Sequence, residues 1–146
     1  MTPISPITSQ GPFSEAMETA ASGMRAESLR LRVVSENLAN ANSTATTPGG
    51  TPYQRKTVSF AETFDKATGA SVVQANKFGV DPAPFRTEYD PSHPAADANG
   101  FVMLPNVNEL VEVADMREAE RSYEANLAVL GQARGMISKT LDILKA

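Results

Sequence analysis

The C-terminal stretch 106–146 constrains this chain more than any other part of it. Read at heptad spacing, Val113, Met116, Tyr123, Leu127, Leu130, Ile137, Leu141 and Leu144 fall on one face of a helix. A 3-4-3-4 apolar repeat marks a helix built to pack along another helix rather than on a sheet. Glu120 and Arg134 interrupt the stripe. Asn108 is a suitable N-cap, with Pro105 just upstream of it. Acidic residues from Glu109 to Glu124 lead, and Arg134, Lys139 and Lys145 follow, the order that a helix dipole favours. From Glu109 to Leu144 such a helix is roughly 50 Å long. No core element of one small domain has that length, so the helix needs a partner of similar length.

The partner is near the other end. Ser14 is the expected N-cap, with Glu15 and Glu18 in the first turn. Met17, Ala20, Met24, Leu31, Val34 and Leu38 keep the heptad spacing to about Asn40, with Glu27 as the single misfit. Leu29 and Val33 lie off this seam and widen the apolar surface beyond what one partner helix covers. Asn40 and Asn42 suit the helix end, since Asn tolerates a left-handed C-terminal cap.

Between the helices the composition changes. Residues 43–51 (STATTPGGT) read as a loop. Tyr53–Phe60 looks strand-like, 61–69 is ambiguous with a short helix possible around Phe64, and Ser71–Val80 and Phe85–Tyr89 are extended. A polar turn follows over 90–100, and 101–104 makes a last strand. This middle holds too few large apolar residues for an independent core. The expected architecture is therefore mainly α. Long N- and C-terminal helices pack as an antiparallel, coiled-coil-like hairpin, with a small β-rich or irregular excursion between them. The expected divisions are an extended Pro-rich tail (1–13), a helical core (14–42 with 106–146) and a β-rich middle segment (43–105).

Composition excludes several functions. With a formal net charge of −4, the chain lacks the basic face that nucleic-acid backbones demand. No stretch approaches the eighteen or so consecutive apolar residues of a membrane span. The chain has no cysteine, which removes disulfides and thiolate–metal sites. Residues 1–10 lack the basic and apolar regions of a secretory signal, so a location outside the cytoplasm implies export without a cleaved signal.

No catalytic, cofactor or metal site is expected. His93, the one histidine, sits in a Ser-His-Pro turn without a second ligand at usable spacing. Asp81 and Asp90 precede prolines, as in ordinary turns, and nothing orients either of them or Asp97 for acid–base work. Gly49-Gly50 lacks the strand and the Lys of a phosphate loop. Gly131 and Gly135 mark a thin spot where another backbone approaches, or a place where the helix bends. The candidate contact residues for helix packing and subunit interfaces are Leu29 and the two seams. Glu27, Glu120 and Arg134 either hold their heads in water at the seam edge or set register. Asn37, Asn40 and Asn126 either cap backbone or bond between subunits.

Several runs resemble the bacterial flagellar axial proteins. Ala21-Ser22-Gly23-Met24-Arg25-Ala26-Glu27 leads into Ser35-Glu36-Asn37-Leu38-Ala39-Asn40-Ala41-Asn42, close to the family's S-G-L-x-A-Q and N-I-A-N signature. Met24, Glu27 and Leu38 replace the usual Leu, Gln and Ile. Arg121-Ser122-Tyr123-Glu124-Ala125-Asn126 resembles the R-x-Y-E-A-N motif of rod proteins. Pro52–Lys56, Tyr89–Pro94 and Gly100–Asn108 are similar to subunits of the proximal rod, as is the short length, since distal rod and hook relatives carry larger middle domains.

The resemblance covers the chain from about Phe13 onward and implies a structural protein rather than an enzyme. It implies a helical assembly with itself and other rod subunits, forming a hollow shaft in the basal body that crosses the periplasm, transmits torque and passes later subunits. Further implied partners are basal-body ring and rod-base components and the flagellar type III export apparatus, which takes chains unfolded and without a cleaved signal. A coiled-coil adaptor or export chaperone shares the helical pattern but needs neither the Tyr89–Pro94 nor the Gly100–Asn108 motif. A small hydrolase lacks any convergent nucleophile, base or metal set.

Overall fold

The structure, a computed structural model, describes residues 11–145. Of the expected extended tail (1–13), residues 1–10 lie outside them, and Pro12 and Phe13 belong to the first helix instead. The elements in order are α1 (Pro12–Ala39), β1 (Lys56–Asp65), β2 (Ala70–Val80), β3 (Arg86–Tyr89), β4 (Phe101–Leu104) and α2 (Glu109–Lys145). β1 and β2 form one antiparallel hairpin, and β3 and β4 form a second.

Helix α1 starts two residues before the expected Ser14 cap. Gly11 is the N-cap, and its carbonyl accepts from the Ser14 amide at 2.8 Å. Pro12 explains the earlier start: its φ is preset for a helix, and its missing N–H is one the first turn leaves unbonded anyway. At the other end Asn40 caps the helix without a left-handed turn (φ −105°). Its side-chain amide donates back to the Glu36 carbonyl at 2.9 Å, so no backbone reversal is needed. α2 opens as its sequence indicates, the Asn108 carboxamide oxygen accepting from the amides of Leu110 and Val111.

α1 lies between α2 and the β1–β2 hairpin, and α2 meets no strand among the described residues. On one side Gly23 faces Asn126, Arg30 reaches Asp115 and Asn37 reaches Glu112. Contacts therefore descend α2 as they climb α1. On the other side Thr19 Oγ1 donates to the Ser71 carbonyl, and Ser22 Oγ accepts from the Val73 amide. β2 thus runs alongside α1 in the same direction. Small residues allow both approaches: among the described residues, the buried apolar side chains other than prolines are all alanine or valine, including Ala20, Ala26, Val34, Val72, Ala119 and Ala133.

This changes the helix seam. Buried Glu112, Ala119 and Ala133 fall on one line of seven-residue steps, and Asn126, the remaining step of that line, packs against Gly23. The line lies one residue, or about 100° of helix rotation, from Val113, Glu120, Leu127, Arg134 and Leu141. The other half of the expected stripe, Met116, Tyr123, Leu130 and Ile137, is partly buried. On α1, Ala20 and Val34 are buried, Met17, Met24, Leu31 and Leu38 are partly so, and Leu29 and Val33 lie towards the hairpin.

The middle segment differs from expectation in its first strand. Residues 61–65 continue β1 instead of forming a short helix, because they pair with Ala70–Gln74 down to Asp65–Ala70. Gly69 at φ +72° closes the turn. Tyr53–Arg55 precede the strand and are used elsewhere, as described below. In the second hairpin Tyr89 meets Phe101 edge to face, with centroids 5.3 Å apart. Gly100 has φ +83°, and a Cβ there would sit 2.9 Å from the Tyr89 ring, so only glycine fits.

Candidate functional site

Two features stand out: a buried polar clamp where both helices meet the ends of the β1–β2 hairpin, and a stripe of large apolar side chains that the described residues leave uncovered.

The clamp is built around Asn37 and Glu112. Asn37 sits at the end of α1, where its carboxamide faces both the incoming β1 strand and α2. Its Nδ2 donates to the Lys56 carbonyl (2.9 Å) and to Glu112 Oε2 (3.1 Å). Its Oδ1 accepts from the Tyr53 hydroxyl and the Lys56 amide, each at 2.8 Å. Both donors and both acceptor sites of the amide are thereby used. Glu112 is fully buried in the first turn of α2, and its Oε1 accepts from Arg55 Nε at 2.6 Å. Arg55 also lies 3.5 Å from Asp81 and 3.7 Å from Asp115. Burial works against the guanidinium's charge, but the hydrogen bond and charge of Glu112, with Asp81 and Asp115, outweigh it and raise the pKa. Burial, then the charges of Glu36 and Glu112, raise the Tyr53 pKa and keep its hydroxyl a donor.

Asn106 extends the clamp. Its Oδ1 accepts from the Arg55 amide at 2.8 Å, and its Nδ2 donates to the carbonyls of Asp81 and Ala83. The side chains and backbone of Asn37, Tyr53, Arg55, Asp81, Asn106 and Glu112 thus join α1, both ends of the β1–β2 hairpin, the linker before α2 and α2 itself. Such a cluster fixes the angle between the helical part and the sheets. Its polar groups point at one another and present no activated nucleophile.

The polar candidates divide accordingly. Asn37 is central, Asn40 caps α1, and Asn126 packs on Gly23, where a Cβ would lie 2.7 Å from its Nδ2. Glu120 and Arg134 are exposed. Glu27 is partly buried, with an Oε2 that has no hydrogen-bond partner and lies 3.9 Å from Arg30. Burial raises its pKa, Arg30 opposes this and Glu118 adds to it. The turn aspartates serve their own turns: Asp81 accepts from Ala83, Asp90 from Ser92, and Asp97 from Asn99 and Phe101. His93 Nδ1 accepts from the Ala95 amide. The described residues contain no group of three or more His, Cys, Asp or Glu placed to hold a metal ion.

Sequence reasoning missed Glu112, Arg55, Tyr53 and Asn106 as members of one site. The available signal was Glu112 in place of an apolar residue beside the seam, but its partners are distant in sequence and only the fold joins them.

The second feature is exposure. Leu127 and Leu141 are each 50% exposed, Ile143 76% and Leu144 77%, and Val129 and Met136 are also open to solvent. Gly131 and Gly135 face open space. Among the described residues no helix is long and apolar enough to cross a membrane.

Two terminal helices tied near one end by polar contacts, with large apolar side chains exposed along the second, suit a structural subunit. Comparison with known proteins gives the class. Residues 17–45 match the model described as flagella basal body rod protein, and 98–143 match flagellar basal body rod FlgEFG protein C-terminal. The two matches contain Gly23 and Asn126, which touch, and Asn37 and Glu112, which bond. A flagellar basal-body rod protein FlgC of Agrobacterium fabrum is 55% identical over 92% of this chain and 97% of its own length. Those of Salmonella typhimurium (41%, covering 86% and 93%) and Bacillus subtilis (36%, covering 89% and 97%) are also similar. The chain belongs to the FlgC family of flagellar basal-body rod proteins. These relatives do not support the adaptor or chaperone alternative.

Proposed function

We propose that this chain is a structural subunit of the proximal rod, in which α1 and α2 form a coiled-coil-like hairpin core and residues 43–105 a β-rich outer segment. Many copies, with other rod subunits, stack helically into a hollow shaft that crosses the periplasm, carries torque and passes later subunits. Export of the unfolded chain through the flagellar type III apparatus, without a cleaved signal, and contact with ring and rod-base components belong to the same reading. The carrying observation is the uncovered row on α2, above all Leu127, Leu141 and Leu144. Large apolar side chains repeated along an exposed helix face indicate burial against other subunits. In the assembled rod the partly buried residues Met17, Met24, Leu31, Leu38, Val113, Met116, Tyr123, Leu130 and Ile137 complete the seams, with Leu29 at a subunit contact.

The test separates folding, export and assembly. Leu127→Glu together with Leu141→Glu changes residues half exposed in the subunit, so the helical circular dichroism of the free chain is retained. Export into the medium continues, because it uses the unfolded chain. Incorporation into purified basal bodies and swimming are lost. Normal assembly of this variant would refute the proposed interface.

A further inference from the structure

Helix α1 shows different chemistry to its two neighbours at successive residues. Gly23 meets α2: a Cβ built there would lie 2.7 Å from Asn126 Nδ2, so the carboxamide rests on bare backbone. Ser22, one residue earlier and about 100° round the helix, is buried and meets β2 instead. Its Oγ donates to the Thr19 carbonyl at 2.8 Å, which fixes the hydroxyl and leaves a lone pair for the Val73 amide, 3.1 Å away. Thr19 Oγ1 donates to the Ser71 carbonyl at 3.0 Å. Ser71 and Val73 are two apart, so both peptide groups point to the β2 edge that β1 leaves free. Two hydroxyls of α1 thus stand where a third strand would bond.

Little else holds this half of the hairpin. Within β1 and β2 only Ala70 and Val72 are buried, and they sit beside these same bonds. A two-stranded hairpin by itself is marginal in water. At the far end Arg55 bonds Glu112 directly, but among the described residues no hydrogen bond or ion pair joins α2 to residues 57–80. The packed route from α2 to the Val73 half of the hairpin is therefore α1.

We propose that Ser22-Gly23 is a relay: the seating of α2 on Gly23 sets the Ser22 hydrogen bond to β2, so the outer hairpin's hold on α1 follows the state of the helical core. The lengths make the relay sensitive. Good N–H···O bonds end near 3.2 Å, so moving the α1 backbone by roughly 0.3 Å is enough to lose the 3.1 Å bond. Close-packed contacts pass such a displacement on rather than absorb it. Neighbours that bury the exposed row of α2 shift its seat on Gly23, and the outer segment registers that burial. This use of the relay rests on the rod-subunit reading; the relay itself does not.

Amide hydrogen exchange of the full-length chain, resolved by residue, tests the relay. Val72 and Val73 are the reporters: the Val72 amide points to β1 and the Val73 amide to Ser22. Global unfolding changes both rates by the same factor, so their ratio reads the Ser22 bond. Asn126→Leu, bulkier against Gly23, is expected to raise the Val73-to-Val72 ratio about tenfold, the scale of one hydrogen bond. Ala128→Gly, at an exposed position of α2, lowers the urea midpoint through helix propensity and leaves the ratio unchanged. Ser22→Ala raises the ratio by itself, and adding Asn126→Leu to it changes the ratio no further. Should Asn126→Leu not fold, Asn126→Ala, which empties the space beside Gly23, carries the same expectation. An unchanged ratio in the folded Asn126 variant, or a second rise of the same size on top of Ser22→Ala, overturns the relay. The exchange is read on the soluble chain, so a chain missing from purified basal bodies refutes the rod-subunit reading and leaves the relay standing.

Discussion

Replacing Glu112 by alanine tests whether the polar clamp holds the two parts of the subunit together. The change removes a fully buried carboxylate and its 2.6 Å bond from Arg55. Breaking a buried ion pair by deleting one partner costs about 3–5 kcal/mol, mostly because the remaining charge is left unpaired. Here that figure is an upper bound. Arg55 keeps 22% side-chain exposure and retains Asp81 at 3.5 Å and Asp115 at 3.7 Å. Asn37 Nδ2 also keeps the Lys56 carbonyl. The loss then approaches that of one charge-assisted hydrogen bond, about 1.5–3 kcal/mol. Asp115→Ala, whose side chain is 30% exposed, removes only longer contacts and costs under about 1 kcal/mol.

Urea unfolding of dilute protein, followed by circular dichroism, gives these differences, and a double-mutant cycle with Arg55→Ala isolates the pair. A coupling of about 1–3 kcal/mol between positions 55 and 112 is expected. Additive single effects, or an Asp115→Ala loss as large as that of Glu112→Ala, would refute the assignment of the clamp to this pair. Amide hydrogen exchange supplies a second readout: opening the clamp speeds exchange of the Lys56 amide, which Asn37 holds at 2.8 Å.

Three further outcomes follow from the same geometry. Gly23→Val places branched carbon where Asn126 Nδ2 lies 2.7 Å from a bare Cβ, so it costs about 1–3 kcal/mol by overpacking, measured by urea midpoint; an unchanged midpoint places Asn126 elsewhere. Glu27→Gln stabilises the fold at neutral pH: the folded-state pKa is raised, so the native protein is favoured while Glu27 is protonated and loses that stability as pH rises through the folded value. The wild-type and Gln unfolding midpoints should therefore converge below the ordinary glutamate pKa, and a constant gap across the titration would count against burial as the cause. His93→Ala and Asp90→Ala each loosen one turn, the former at about 1 kcal/mol, and leave assembly and swimming intact; full assembly with complete loss of motility in either would point to chemistry rather than packing.

The sequence by itself determined the elements that local physics controls. Apolar periodicity, the Asn108 cap and the charge order marked α2 almost to the residue, because they act within one or two turns. Composition likewise separated the helical ends from the Pro- and Gly-rich middle. Only the tertiary structure decided which side of each helix faces inward. Heptad reading weights large apolar residues and so selected Leu127 and Leu141, whereas α1 and α2 approach closely through Gly23, Ala119 and Ala133. Small residues carry little hydrophobic signal yet permit the shortest distance between backbones. The tertiary fold also joined Asn37, Arg55 and Glu112, whose hydrogen bonds span up to 75 positions of sequence. A charged residue written beside an apolar seam reads as solvent-facing until a guanidinium from a distant loop pairs with it in the interior.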